Sequence, residues 1–365
     1  MKVAILSAST SIHTIQWVKY LAEQGLDIHV ISQHAITPDW PQEIPITLLP
    51  YKGFIGYFLN APALKKLLID IQPDLLNVHF ASGYGTTARL TKFTPYVLSV
   101  WGSDVYDFPY KSFFHKYLIR KNLLSANVIA STSNCMAVQT KNLLSHYDRT
   151  IFVTPFGVNP SIFAPKLNDS EYITIGTVKT LSDKYGIDTL IQSFSLLRNR
   201  LKKSNNSIYK LLKLRIVGGG PQELKLKNLV RELEIDSVTE FVGQVVHSQV
   251  PCELSKLDIY VALSRLDSES FGVAIVEAQS VGIPVVVSSV GGLPEVVKDN
   301  ITGLVVEKED PLDASEALEK LVLNEELRLK MGRAGREHVM KEYDWVKCAE
   351  KMLQVYNIAL RDMKN

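Results

Sequence analysis

The chain has 365 residues, of which 46% are hydrophobic and 21% are charged, and its formal net charge at pH 7 is +2. This length predicts two domains rather than one, and the composition is that of an ordinary globular protein. The nearly balanced charge gives no reason to expect a nucleic-acid partner.

The cysteines and the N-terminus indicate the compartment. Cys135, Cys252 and Cys348 are scattered and form no C-x-x-C pair, so free thiols are expected rather than disulfides or a zinc site. The chain begins almost directly with a strand-like segment, Val3–Leu6, and not with a signal peptide. No run approaches the ~18 apolar residues of a spanning helix. We therefore expect a cytoplasmic protein, or one that is peripheral on the inner face of the cell membrane.

Apolar runs alternate with helical stretches along the chain, which is the pattern of parallel sheets wound with helices. A helix is predicted over Thr14–Gln24, ending at Gly25, and two or three more are predicted after Ala314. Segment 155–160 contains two prolines and a glycine and is the predicted linker. The predicted strands are Val3–Leu6, Ile28–Ile31, Leu75–His79, Tyr96–Val100, Val128–Ser131 and Ile151–Thr154 before the linker, and Ile173–Val178, Lys213–Val217, Thr239–Val242, Ile259–Leu263, Pro284–Ser288 and Gly303–Val306 after it.

The most informative motif sets two glutamates, Glu269 and Glu277, eight positions apart around a Phe-Gly pair. Its spelling fits a strand end, a tight turn and a new helix. Gly272 would let a ligand approach the backbone, and the helix N-terminus would offer N–H groups to an anion. Glu277 falls about one turn into the helix, within reach of sugar or ribose hydroxyls. The motif therefore fits a nucleotide sugar; an amphipathic helix with two exposed acids is the alternative.

A second glycine turn, Gly291-Gly292-Leu-Pro-Glu295, follows the buried strand predicted over Pro284–Ser288 and opens another helix. Two strand–turn–helix units in direct succession place both turns at the same sheet edge, where open α/β sheets bind ligands. Glu295 is a further donor-site candidate. The helix dipole alone also favours an acid in the first turn, so that alternative stays open.

These motifs, in this order, resemble family 4 of the retaining glycosyltransferases. Gly218-Gly219-Gly220-Pro221, Phe241-Val242-Gly243 and Asp258 precede the paired glutamates in the matching order. The resemblance implies an α/β GT-B fold, in which two doubly wound Rossmann-like domains face a central cleft and the last helix crosses back to the N-terminal domain. Residues 1–157 plus about 343–365 would bind the acceptor, and residues 158–342 would bind the nucleotide-sugar donor.

Position within the family motifs assigns roles to the donor-site candidates. Glu269 would hold hydroxyls of the donor sugar, Glu277 would hold ribose hydroxyls, and Val245 would lie against the base. The backbone N–H groups expected to meet the sugar and the diphosphate are those of Phe271, Gly272, Val273 and Ala274.

The departing diphosphate needs cations or amide dipoles to stabilise its charge. The chain has no Asp-x-Asp triplet, so we expect no metal ion and no cofactor besides the donor substrate. Lys184, by its motif position, and Lys179 are the expected cations. Relatives usually carry Arg at the position of Thr177, and Lys179 would replace it as a point charge. A solvated loop lysine is the alternative for both.

On the acceptor side, many relatives have His where this chain has Trp101, so a mechanism that uses that His does not carry over. Asp104 is a candidate to orient or deprotonate the acceptor hydroxyl, with an N-cap or turn role as the alternative. The other candidates, each with a purely structural alternative, are His13, His79, Ser9 and Ser11.

Segment 110–124 mixes aromatic with basic residues, which is typical of a helix on an anionic bilayer, or of an ordinary helix packed on the N-terminal sheet. The sequence as a whole predicts a hexosyltransferase, and the family resemblance implies that it retains configuration. It would move a sugar from a nucleotide diphosphate sugar to a hydroxyl of a glycan or lipid-linked acceptor during O-antigen, capsule or exopolysaccharide synthesis. A nucleotide-sugar epimerase on the same fold and an inactive glycan- or nucleotide-binding subunit are the alternatives.

Overall fold

The computed structural model describes residues 1–144, 147–166 and 170–361. The chain divides into two compact units. The first comprises Met1–Phe156 and the C-terminal segment that begins at Trp345, and the second comprises Gly157–Asp344. Residues 362–365 of the predicted returning segment lie outside the described residues.

A parallel sheet forms the centre of the first unit. Its described strands are β1 (Lys2–Leu6), β2 (Asp27–Ser32), β3 (Ile46–Leu48), β4 (Leu75–His79), β5 (Tyr96–Val100), β6 (Val128–Ser131) and β7 (Ile151–Val153). Their order in the sheet is β3-β2-β1-β4-β5-β6-β7, so the direction of winding changes between β1 and β4. The carboxyl ends of all these strands meet at one edge of the sheet, which is where the N-terminal site candidates lie.

The described helices of this unit are α1 (Ile12–Glu23), α2 (Gly53–Leu59), α3 (Ala61–Ile71), α4 (Gly83–Thr91), α5 (Ser103–Tyr106), α6 (Phe113–Ser125), α7 (Asn134–Leu143) and α15 (Trp345–Arg361). Helix α15 packs on α1, where Trp345 stacks on Tyr20 with ring centroids 5.5 Å apart. The buried Tyr356 hydroxyl of α15 donates to Asn77 Oδ1 of β4 at 2.9 Å. The C-terminal helix is thereby part of the N-terminal unit, as the family resemblance implies.

The second unit is built on another parallel sheet. Its strands within the described ranges are β8 (Ile173–Val178), β9 (Leu212–Val217), β10 (Thr239–Gly243), β11 (Ile259–Ala262), β12 (Val285–Ser288) and β13 (Gly303–Val306), in the order β10-β9-β8-β11-β12-β13. The helices described here are α8 (Ile187–Lys203), α9 (Glu223–Glu232), α10 (Val250–Leu254), α11 (Val273–Ser280), α12 (Leu293–Val296), α13 (Pro311–Leu323) and α14 (Glu325–Glu342).

Local sequence explains most of these elements. In α8, Leu190, Phe194, Leu197 and Leu201 recur at helical spacing and are all buried in the core of the second unit. Polar side chains cap the N-termini of other helices; for example, Asp310 accepts from the N–H groups of Leu312 and Asp313 at the start of α13. Patterns with such strong periodicity are the ones that a sequence predicts best.

The predicted strands are confirmed to within one residue at either end, but β3 is missing from the prediction. β3 has three residues, follows Pro45 directly and pairs only with β2 at the edge of its sheet. A partly exposed strand this short has no periodicity to detect. Among the described residues, no helix combines the length and the hydropathy needed to cross a bilayer.

Candidate active site

The turn between β11 and α11 has the predicted strand–turn–helix form. Gly272 is the N-cap of α11 and has a φ of +91°, a conformation that favours glycine. A Cβ on this residue would also lie 2.9 Å from Leu293 Cδ2, and that leucine side chain would have to shift. Glu277 lies about one turn into α11 and is only 8% exposed.

The second glycine turn packs directly on the first. A Cβ on Gly292 would lie 2.1 Å from the Ser270 carbonyl oxygen, and one on Gly291 would lie 2.5 Å from that of Glu269. The Gly292 N–H donates to the Glu269 carbonyl oxygen at 3.1 Å. The two predicted turns therefore meet at one sheet edge, and the glycines are needed because backbone contacts backbone there.

Glu269 forms an ion pair with Lys179, which follows β8. The Lys179 Nζ lies 2.7 Å from Glu269 Oε1, and both side chains are largely buried. Burial lowers the pKa of Lys179, but the Glu269 carboxylate outweighs it and the pKa ends above its ordinary value. Neither residue is a solvated surface charge. The pair places a fixed cation and a fixed carboxylate next to the turn that opens α11.

Lys184 lies in a short 3-10 helix, Asp183–Tyr185, directly before Gly186. Its ammonium nitrogen is 4.7 Å from the centroid of the Tyr185 ring, and the Lys179 nitrogen is 4.5 Å from the same centroid. Gly186 has a φ of +61°, and a Cβ there would lie 1.9 Å from the Leu263 carbonyl oxygen. The aromatic ring thus holds both predicted cations in one loop.

Arg265 anchors that loop and was missed by the sequence analysis. Its guanidinium donates to both carboxylate oxygens of Asp188 at 2.7 Å, and to the carbonyl and carboxylate oxygens of Asp183 at 3.1 Å. The backbone N–H of Arg265 donates to the Lys184 carbonyl oxygen at 2.8 Å. Its partners lie about eighty positions earlier in the chain, so no local pattern marks it.

A cavity of about 280 Å³ opens beside Lys179, between the ends of β8 and β9. Gly218, Gly219 and Val245 share its lining with Lys179. Gly218 has a φ of +141°, and a Cβ there would lie 1.9 Å from the Lys179 carbonyl oxygen. The structure thus brings the predicted Val245 and Lys179 together at one cavity.

Glu277 has a partner that the sequence analysis did not identify. The His247 Nε2 lies 2.9 Å from Glu277 Oε1. The hydrogen bond to Glu277 raises the pKa of His247. His247 follows the Phe-x-Gly turn by a few residues, and that position is the only sequence signal that could have drawn attention to it.

The other donor-site candidates occupy the same edge. Phe271 is buried with its ring 5.6 Å from that of Tyr343, and Val273 and Ala274 form the first turn of α11, where helix geometry leaves N–H groups without intrahelical partners. Glu295 is partly buried in α12. Among the described residues, no group of three or more His, Cys, Asp or Glu side chains is placed to hold a metal ion.

Asp104 makes structural contacts in this fold, and its catalytic role stays a prediction. The side chain is 1% exposed, and its carboxylate accepts from the backbone N–H groups of Ala81 at 2.8 Å, Gly102 at 2.9 Å and Trp101 at 3.1 Å. Burial raises the pKa of Asp104, and the backbone hydrogen bonds oppose that rise. The carboxylate joins two loops, which corresponds to the turn-stabilising alternative.

Asp104→Ala should therefore lower stability, because three buried N–H groups would lose a charged acceptor. We expect a loss of about 3 kcal/mol in the free energy of unfolding, measured by denaturant titration. Asp107→Ala, at an exposed position nearby, is the matched control and should be nearly neutral. An Asp104→Ala protein of normal stability with abolished turnover would instead support the catalytic role.

His79 and Ser9 are also buried, and their site roles likewise stay predictions. His79 bonds through Nδ1 to Ser7 Oγ at 2.9 Å and through Nε2 to Asn77 Oδ1 at 3.0 Å, and burial lowers its pKa to about 3. The Ser9 hydroxyl lies 2.9 Å from the carbonyl oxygens of His34 and Ala35. Both side chains are themselves buried and make their polar contacts within the first unit.

Three acceptor-side candidates remain partly exposed, namely His13, Trp101 and Ser11. The His13 ring stacks on that of Phe156 with centroids 4.3 Å apart, and the Trp101 ring covers the buried His79 at 4.2 Å. Ser11 is the N-cap residue of α1, but its side chain makes no capping hydrogen bond. These residues keep their assignment to the acceptor side as a prediction.

Two family models match the chain. One, described as glycosyl transferases group 1, matches residues 158–338, and the other, described as glycosyl transferase 4-like, matches residues 2–133. The chain belongs to the group 1 glycosyltransferases. The group 1 match contains Glu269, Glu277, Lys179 and Lys184, and all five glycines of the two turns and the cavity.

This glycosyltransferase is similar in sequence to proteins of the same kind along nearly their whole length. It is 27% identical to an uncharacterized glycosyltransferase of Methanocaldococcus jannaschii, over 95% of this chain and 93% of the relative. It is 26% identical to the capsular polysaccharide biosynthesis glycosyltransferase CapM of Staphylococcus aureus, over 94% and 93%. Its fold matches that of Anabaena HepE, solved with UDP, with a TM-score of 0.83 at 14% identity, over 98% and 100%. The two parallel-sheet Rossmann-like units are those of the GT-B fold.

Proposed function

We propose that this glycosyltransferase transfers a sugar from a nucleotide diphosphate sugar to a hydroxyl of a glycan or lipid-linked acceptor in surface-polysaccharide synthesis. In this proposal the anomeric configuration is retained, no metal ion takes part, the reaction is cytoplasmic, and the second unit binds the donor while the first binds the acceptor. The observation that carries the proposal is the Lys179–Glu269 ion pair, which lies beside both a glycine-lined cavity and the start of α11.

The donor would contact the second unit at three places. A cavity of about 280 Å³ has room for part of a donor, such as its base against Val245, but not for the whole molecule. Glu277, held by His247, is available to ribose hydroxyls. The diphosphate would lie at the N-terminus of α11, where the helix dipole favours negative charge.

The chemistry then follows from charge. The bond between the anomeric carbon and the diphosphate oxygen breaks, and its electron pair leaves with the diphosphate. Lys179, Lys184 and the amides of α11 would stabilise that charge. The acceptor oxygen bonds to the anomeric carbon on the face that the diphosphate leaves, and the acceptor proton passes to the departing phosphate oxygen. This route retains configuration and needs no protein nucleophile.

The relatives support the substrate classes. HepE, which shares the fold, was solved with UDP, and CapM is named for capsular polysaccharide synthesis. The substrates to test first are therefore nucleotide sugars whose leaving group is a nucleoside diphosphate, with cell-surface glycans as acceptors.

The test begins with thermal unfolding of the purified protein in the presence of a panel of nucleotide sugars, because donor binding stabilises the folded state without an acceptor. The stabilising donor is then incubated with lipid-linked and free saccharides, and the anomeric configuration of the product is read by NMR. We expect retained configuration and unchanged turnover in excess EDTA. An inverted product, loss of turnover on chelation, or an epimerised donor formed without acceptor would each contradict the proposal.

A further inference from the structure

We propose that the first unit carries a docking surface for an anionic lipid bilayer, formed by apolar side chains that α2 and α6 present to solvent. This docking surface consists of Phe54, Ile55 and Leu59 on α2 and of Phe113, Tyr117 and Leu124 on α6. The sequence indicated only the basic aromatic segment 110–124, and the structure adds a second helix, α2, to this surface. The inference concerns binding alone and does not rest on the proposed reaction.

Helix α6 has two apolar faces. Leu118, Ile119 and Leu123 face inward and are buried in the core of the first unit. Phe113, Tyr117 and Leu124, at positions i, i+4 and i+11, share the outward face, and Phe113 is 86% exposed. Packing on the sheet explains the inner face only, so the ordinary-helix alternative leaves the outer stripe without a function.

Helix α2 adds a second outward stripe. Phe54, Ile55 and Leu59 are all at least half exposed, with Ile55 at 66%. The same helix turns Tyr57 inward onto α4, where its ring lies 5.2 Å from that of Tyr84. The outward residues are therefore a separate face of a helix that is already packed on the unit.

Helix α4 packs against both α2 and α6 and so links the two helices that carry the stripes. On one flank, Thr87 Oγ1 donates to the Tyr57 carbonyl oxygen at 2.8 Å. On the other, Arg89 Nε donates to Asn122 Oδ1 and Asn122 Nδ2 donates to Thr86 Oγ1, both at 2.8 Å. Scattered exposed apolar residues are normal on a protein surface, whereas apolar outer faces on two helices that pack on the same third helix indicate an interaction surface.

The two segments that carry these stripes contain basic residues and no acidic ones. Residues 110–125 include Lys111, Lys116, Arg120 and Lys121 and no Asp or Glu, and residues 50–60 include Lys52 and no acid. The Lys121 ammonium lies 5.5 Å from the Tyr117 ring centroid, beside the outward stripe. Aromatic and aliphatic side chains flanked by cations suit the boundary between acyl chains and anionic headgroups.

The charge of this surface also favours a bilayer over the competing occupant, which is a second copy of this chain. A symmetric dimer through this surface would bring the basic residues of α6 close to their own counterparts, and like charges at an interface oppose association. An anionic bilayer matches both the apolar stripe and its basic flanks. The bilayer is therefore the occupant that the observations favour.

The experiment is co-flotation of the full-length protein with vesicles of phosphatidylcholine, alone or mixed with phosphatidylglycerol. The wild type should float with the mixed vesicles, less so at high salt, and weakly with phosphatidylcholine alone. Phe113→Glu/Tyr117→Glu and, separately, Phe54→Glu/Ile55→Glu should each lower the partition coefficient about tenfold or more, because each pair loses apolar contact and adds like charge to the headgroups.

Leu224→Glu is the matched control, since Leu224 is 71% exposed on α9 of the second unit and should leave flotation unchanged. Thermal unfolding of each variant confirms that it is folded. The proposal would be overturned if the wild-type protein does not float with anionic vesicles, or if the double variants float as much as the wild type. A dimer in light scattering that dissociates on Phe113→Glu/Tyr117→Glu, without vesicle binding, would assign the surface to a second copy instead.

Discussion

Glu269→Gln is expected to lower kcat about 100-fold or more while the protein stays folded. The substitution keeps the size of the side chain but removes the carboxylate that pairs with Lys179 at 2.7 Å. In the proposed mechanism this carboxylate holds sugar hydroxyls and also fixes the cation that faces the departing diphosphate. The measurement is transfer from a purified donor to a purified acceptor, with thermal unfolding to confirm the fold.

Glu240→Gln is the matched control, because Glu240 also pairs with a basic residue, Arg215, but is mostly exposed on β10. It should leave turnover unchanged. Lys179→Met and the double variant complete a cycle, in which the two losses should be far from additive because the residues act as a unit. Near-normal turnover by Glu269→Gln would remove the ion pair from the mechanism.

The second large effect is expected from Gly292→Ala, through the contact between the two glycine turns. Gly292 has a φ of −87°, which any residue adopts, so backbone strain is not the issue. The added Cβ would lie 2.1 Å from the Ser270 carbonyl oxygen, and one turn must move away from the other. We expect a loss of about 1–3 kcal/mol in stability and a more than tenfold loss in turnover, because Glu269 and the start of α11 move with the turn.

The control for this prediction is Gly85→Ala in α4, where a Cβ would make only ordinary contacts, beginning at 3.4 Å. Alanine is favoured over glycine in a helix, so this variant should be neutral or slightly more stable. Thermal unfolding and transfer assays on both variants separate the effect of the contact from that of the substitution. A fully active and stable Gly292→Ala protein would show that the two turns do not depend on each other.

Local patterns in the sequence carried much of the donor-side interpretation. The glycines at 272, 291 and 292 and the glutamates at 269 and 277 occupy two successive strand–turn–helix units, and each unit is recognised from neighbouring residues alone. The structure adds the reason for the glycines, which is close backbone contact between two turns. It also adds two residues with distant partners. His247 lies 30 residues before its partner Glu277, and Arg265 lies 82 residues after its partner Asp183. No local pattern signals such pairings.

In the first half of the chain, by contrast, local patterns did not reveal the surroundings of the candidate residues. His79, Asp104 and Ser9 each carry chemistry that an active site could use, and each follows or precedes a strand end where sites are common. All three are buried and saturated with hydrogen bonds in the structure. A residue type reveals which bonds a side chain can make, but only its surroundings reveal which of them are already made.

By itself, the sequence determined every described strand except β3, the division into two Rossmann-like units and the family, because periodicity and glycine turns are properties of short segments. Only the tertiary structure decided that Glu269 is paired with Lys179, that Asp104 and His79 serve the core, and that α6 has an apolar face left on the outside. Burial and partnership depend on segments that are distant in the chain, and these come together only when the sheets and helices pack.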